Sequence, residues 1–154
     1  AEERAWELLA RDRYAGLNLL IATRSDQLVI EAVGEPRRVD CAGPVVCLGN
    51  GPPDDPADAR LTAARAAVIE ASEASGLQEV CAGHDADDPS RSACRHASER
   101  STVSSAIIAL GREPVHDEVY WSDGPPCTAG FHDLSPLAAQ LAAGPVGPDG
   151  ADTP

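Results

Sequence analysis

The sequence predicts an α+β fold, an antiparallel sheet covered by helices. Three observations carry this prediction. Residues 102–110 and 115–123 are two apolar runs joined by a short polar loop, the pattern of neighbouring antiparallel strands. Residues 17–23 and 28–33 repeat that pattern around Arg24-Ser25-Asp26. The order is helix, four strands, helix, loop, two strands, without the βαβ alternation of a parallel sheet.

Residues 2–13 read as an amphipathic helix with Ala5, Leu8, Leu9 and Trp6 on its apolar side, ended by Gly16. The hairpin of 17–23 and 28–33 follows. Gly34-Glu35-Pro36 turns the chain into two short strands, 37–41 and 44–48. After Asn50-Gly51-Pro52-Pro53 a helix is expected with Asp54 or Asp55 as cap and Pro56 at its first position. Leu61, Ala64, Val68 and Ala71 carry it to about Ser75, with Gly76 as its stop. Residues 77–81 are a short apolar piece of undefined type. A last helix spans 134–142, with Ser135 as cap and Pro136 at its start.

The chain has 154 residues, enough for one domain, taken as 1–143 with a disordered tail over 144–154. Residues 83–100, rich in Gly, Ser and Asp, read as a mobile acidic loop. The net charge is −13, and all 12 basic residues are Arg. The Arg-only usage suggests a GC-rich bacterial genome. The acidity argues against nucleic acid, which needs a basic face, and against anionic membrane surfaces. No apolar run approaches the ~20 residues of a membrane span. Five cysteines without a secretory signal point to reduced thiols and a cytoplasmic protein. Cys41 and Cys47, beside apolar segments, read as buried and inert. The chain holds no Met, so Ala1 is expected to be an internal cut, with this chain the C-terminal portion of something longer.

Four clusters have the residue types of chemistry. Cys81-x2-His84 and Cys94-x-His96 offer two soft and two borderline ligands, but their spacing matches no common zinc module, and no metal site is expected. Asp85, Asp87 and Asp88 lack the Gly and closing Glu of a calcium loop and read as solvated acids. Cys127 with His132 and Asp133 has the residue types of nucleophile, base and orienter, yet sequence proximity does not make them converge. Ser104 and Ser105 read as strand residues, since no Gly-x-Ser-x-Gly elbow surrounds them. Neither a phosphate loop nor Gly-x-Gly-x-x-Gly is found, and no cofactor is expected.

Three stretches together resemble a family. Tyr14-Ala15-Gly16-Leu17-Asn18-Leu19-Leu20 resembles its "aromatic-x-Gly-Phe-Asn-Leu" strand entry. Leu48-Gly49-Asn50-Gly51 before an Asp/Pro-started helix resembles its "Leu-x-Asn-Gly" turn. Thr102-Val103-Ser104-Ser105 resembles its "Thr-x-Ser-Ser" strand. This is the Asn-Arg-Asp-Glu motif family, that of the transport and Golgi organisation protein 2. The resemblance implies the C-terminal half of an αββα sandwich of the N-terminal nucleophile hydrolase type. It implies a parent acting on an amide or related bond, with its nucleophile outside this chain. No Asn-Arg-Asp-Glu string occurs here, and Ala1 supplies no nucleophile, so the fragment itself is expected to be inactive. Asn50 is the one site residue carried over, as a side-chain N–H donor to a developing oxyanion, a contribution of ~3 kcal/mol where it operates. The partner implied is the missing N-terminal half. The alternative implied by eukaryotic relatives is a non-catalytic carrier handling a small molecule, lipid or haem.

Overall fold

Glu2–Arg11 forms helix α1, whose Ala5, Trp6 and Leu9 face one side. The computed structural model describes residues 2–11, 16–41, 43–49, 51–71, 73–97 and 101–143. Tyr14, Ala15, Asn50 and the tail expected over 144–154 lie outside them.

Strands β1 (Leu17–Ala22), β2 (Gln27–Ala32) and β3 (Arg37–Val39) form an antiparallel sheet in that order. The register pairs Leu17 with Ala32, Leu19 with Ile30 and Ile21 with Leu28. All six therefore share one face, because side chains alternate along a strand. α1 covers that face, and Leu9, Leu28, Ile30 and Ala32 are its buried centre. Ile30 is wholly buried, a burial worth about 1.5–3 kcal/mol for a side chain of its size. On the opposite face Val29 is also buried, and Glu31 meets Arg37 of β3 in an ion pair. β2 is thus covered on both sides, as its apolar run requires.

A second antiparallel sheet contains β4 (Ser105–Ala109), β5 (Glu118–Ser122) and the short β6 (His132–Asp133) in that order. Ile107 pairs with Tyr120 and Ser105 with Ser122, so the strands expected from the apolar runs are antiparallel neighbours. Ile107 and Ser122 are buried, whereas Ile108 and Trp121 on the other face are exposed. The connection demands glycine at Gly111: a Cβ there would lie 2.6 Å from His116 Cβ. Arg24, in the β1–β2 turn, donates to the Gly111 carbonyl at 2.9 Å and pairs with Asp117, tying one hairpin to the other.

Several expectations need correction. Residues 44–48 form no strand, because Cys47 uses both backbone groups on Asp54: its N–H donates to the carboxylate and its carbonyl accepts the Asp54 N–H, each at 2.8 Å. The following helix, α2 (Ala59–Glu70), is capped by Asp58 and not by Asp54 or Asp55. The Asp58 carboxylate accepts the N–H of Arg60 at 2.9 Å and of Leu61 at 3.1 Å. Gly76 does not end a helix. α2 stops at Ala71, whose backbone turns extended, and Gly76 sits inside α3 (Ala74–Ala82), which takes in the apolar piece 77–81. A Cβ on Gly76 would stand 3.1 Å from Ala71 Cβ, so glycine serves the close corner between the two helices.

A 3₁₀ turn, Pro89–Arg91, follows α3, and another, Pro114–His116, lies between β4 and β5. α4 (Pro126–Ala129) is a single turn after β5, and α5 (Ser135–Ala142) follows β6. The cap position of α5 is Leu134 and not Ser135 as expected, because the Ser135 hydroxyl accepts the Val119 N–H and donates to Asp133 instead of capping the helix. α3 packs on β4 and α4, and α5 packs on β5. The architecture is mixed α+β with two small antiparallel sheets. No described helix is long and apolar enough to cross a membrane.

Candidate metal centre

Three chain segments meet at the end of α3. His84 stands just beyond that helix, after Gly83. Cys94 and His96 follow the first 3₁₀ turn, and Cys127 lies in the first turn of α4, after two prolines. One ligand atom from each of His84, Cys94, His96 and Cys127 falls within a cluster whose members all lie within 4.8 Å of one another. Cys94 is buried and the other three are exposed, which puts the cluster at the surface with one buried anchor.

The separations suit a shared ion. A tetrahedral metal with bonds of about 2.0–2.3 Å keeps its ligand atoms about 3.3–3.8 Å apart. Cys94 Sγ lies 3.5 Å from Cys127 Sγ and 3.7 Å from His96 Nε2. His96 Nε2 and Cys127 Sγ are closer, at 3.0 Å, the spacing of a thiol–imidazole hydrogen bond. The rings of His84 and His96 stack with centroids 5.1 Å apart and planes 16° from parallel.

The surrounding chain fixes these positions. The Cys94 N–H donates to the Gly83 carbonyl at 3.2 Å, joining the segment of Cys94 to that of His84. The Thr102 N–H donates to the Arg95 carbonyl at 2.9 Å, and Thr102 Oγ1 accepts the Arg95 N–H at 3.0 Å. A bridge between His96 and Ser101 continues that ladder. Residues 83–97 are thus laced by backbone hydrogen bonds and a 3₁₀ turn. The Asp85 and Asp88 carboxylates bind the chain's own backbone. Asp85 accepts the N–H of Asp87 and Asp88 and pairs with Arg91 at 3.3 Å. Asp88 caps the 3₁₀ turn, and hydrogen bonds from the Ser90 hydroxyl and then the Ser90 N–H hold its pKa below the ordinary value. Asp85 and Asp88 are thus engaged in turns, which leaves the soft ligands as the candidate metal-binding groups.

The candidate residues sort differently in space than in sequence. His84, Cys94 and His96 come together, although their irregular spacing predicts no metal site. Cys81 does not join them, and Cys127 takes the fourth place from beyond the β4–β5 hairpin. His132 and Asp133 do not serve Cys127. His132 pairs with Trp121 across the sheet, and the Asp133 carboxylate accepts the Ser135 N–H at 2.8 Å. Desolvation, then the adjacent Cys94 thiol, raises the Cys127 pKa, which disfavours a thiolate nucleophile in the metal-free site. Ser105 is a strand residue opposite Ser122, as expected, whereas Ser104 lies just before β4 and not in it.

Cys41 and Cys47 are half-buried and line a separate cleft of about 480 Å³ with Val39, Asp54, Leu61 and Arg65. Burial and then Asp54 raise both thiols, so they stay protonated. Asp54 holds this cleft together in a left-handed backbone conformation (φ 53°), with Arg65 donating to its carboxylate at 2.7 Å. Asn50 lies outside the described residues. Its neighbours are fixed from β1: Asn18 Nδ2 donates to the carbonyls of Gly49 at 2.9 Å and Gly51 at 2.8 Å.

No protein-family model, curated protein or solved structure matches this chain.

Proposed function

We propose that this chain is a metal-binding protein whose His84, Cys94, His96 and Cys127 hold one structural zinc ion. The observation that carries the reading is the convergence of four such ligand atoms, all within 4.8 Å of one another, from three distant segments. Two thiolates and two imidazoles favour zinc over the oxygen-seeking cations. Four protein ligands leave no open position for a substrate, the mark of a structural centre. The ion would staple α3, the 83–97 segment and α4 together.

The test is metal analysis of the purified protein with cobalt substitution. One zinc per chain is expected, replaced by cobalt with the absorption of a tetrahedral site bearing two thiolates. Cys94→Ser and Cys127→Ser should abolish stoichiometric binding, while Cys81→Ser should retain it. A protein that binds neither metal at one per chain refutes the reading.

One observation favours a second reading, that this chain is the C-terminal part of an Asn-Arg-Asp-Glu motif protein with an N-terminal nucleophile sandwich. Asn18 joins two of the three stretches on which that resemblance rests, gripping the turn on either side of Asn50. In this reading Asn50 is the side-chain N–H donor to an oxyanion generated by a nucleophile from the missing half. The complete coding sequence tests it: a Cys after the initiator Met with an Asn-Arg-Asp-Glu string nearby is expected, and an opening without either refutes it.

A further inference from the structure

The two sulfurs of the centre carry more than a ligand role. Cys94 Sγ and Cys127 Sγ lie 3.5 Å apart. A disulfide needs about 2.05 Å, so closing the gap takes about 1.5 Å of movement. Cys127 sits on a helix of one turn, an element short enough to yield by that amount. The two thiols also differ in access: Cys127 is exposed and Cys94 is 1% exposed. A soluble oxidant therefore reaches Cys127 first, while Cys94 waits beneath it as the resolving thiol.

We propose that the centre is a peroxide-sensitive switch, in which oxidation joins Cys94 to Cys127 and releases the metal. The inference rests on the zinc reading above. Its chemistry is closed with a hydroperoxide as the oxidant. The Cys127 thiolate attacks one peroxide oxygen and the O–O bond breaks. Hydrogen peroxide leaves hydroxide, which is protonated to water, and Cys127 becomes a sulfenic acid. The Cys94 thiolate then attacks the Cys127 sulfur. The S–S bond forms, the S–O bond breaks, and the departing hydroxide takes a proton to become a second water. The two sulfurs together give up two electrons and the peroxide accepts them. Two neutral imidazoles remain, too few to keep a structural zinc, and the divalent ion leaves. A thiol reductant returns both electrons and restores the four-ligand site.

The experiment uses the zinc-loaded full chain treated with one equivalent of hydrogen peroxide. Zinc release is followed with a chromogenic chelator and the protein by intact and peptide mass spectrometry. The expected result is loss of one zinc per chain, a mass lower by two hydrogens and a Cys94–Cys127 linked peptide. Dithiothreitol with added zinc should reverse all three. A Cys41→Ser/Cys47→Ser/Cys81→Ser chain, which keeps only the two ligand thiols, should respond as the wild type does. Zinc retained while other thiols oxidise overturns the switch and leaves the metal reading standing. Oxidation of Cys127 to sulfinic acid without a linked peptide overturns it also. A chain that never binds zinc stoichiometrically defeats both readings, and the loading step reveals that before peroxide is added.

Discussion

Thr102 shows how one hydroxyl can shape a ligand set it does not belong to. Its Oγ1 takes the Arg95 N–H, and its own N–H meets the Arg95 carbonyl, so Arg95 is clamped between Cys94 and His96. Groups that orient ligands in this way typically contribute 10–100-fold, on the order of 1–3 kcal/mol, to metal affinity. Thr102→Val keeps the shape and removes the hydroxyl. It should weaken zinc binding about 10–100-fold, measured by competition with a chelator of known affinity. An unchanged affinity would show that Thr102 supports only the backbone. In the sequence Thr102 was visible as part of a strand motif, but its partner lies seven residues upstream in a stretch whose composition resembled a solvated loop. Cys127 was harder still to place. His132 and Asp133, which follow it in sequence, are carried off by β6, while the hairpin turns Cys127 back towards His96. Only long-range topology supplies that contact.

Among the elements, the two sheets differ in how fully they are covered, and mutations should show it. Ile30 of β2 lies at the centre of the α1-covered face, so Ile30→Ala should cost about 2–5 kcal/mol through lost burial and a residual cavity. Ile108 of β4 is 66% exposed, and Ile108→Ala should change stability by about 0.5 kcal/mol or less. Denaturant melts of both variants check the contrast, and equal losses would contradict the assignment of faces. The start of α5 gives a pH-dependent case. The Ser135 hydroxyl, then the Ser135 N–H, lowers the Asp133 pKa from its ordinary 3.8. A depressed carboxylate adds stability that is present above the unfolded pKa and lost as pH falls through the folded one. The melting-temperature gap between wild type and Asp133→Asn should therefore be open in neutral buffer and close on acidification well below 3.8. A gap that widens in acid would reverse the sign and refute it. The β1–β2 and β4–β5 hairpins were legible because alternation and turn residues are local signals. The break between α2 and α3 was not, because apolar spacing runs through it and Gly76 serves packing instead of termination.

At the scale of the molecule, the proposed zinc and the α1-covered sheet stabilise different regions. Leu9, Leu28, Ile30 and Ala32 form a core that includes none of the metal ligands. The ligands instead gather the end of α3, residues 94–96 and the one-turn α4, a region with few buried apolar side chains beyond Cys94 and Ile107. An ion that binds only the folded state adds RT ln(1 + [L]/Kd), about 4 kcal/mol when free metal exceeds Kd a thousandfold. That gain is open to segments whose own burial is small, and it vanishes when a chelator removes the ion. Hydrogen exchange before and after chelation should therefore lose protection first at the amides of Cys94 and Thr102, which hold the ligand segment through Gly83 and Arg95. The amides of the β1–β2 ladder, centred on Leu19 and Ile30, should keep theirs, because α1 and not the metal covers them. Re-adding zinc should restore the lost protection, and Cys127→Ser should reproduce the chelated pattern in metal-replete buffer. Uniform loss across both sheets would mean that the centre governs global unfolding. No loss anywhere would mean that these four side chains meet without holding an ion, and would defeat the structural role assigned to them.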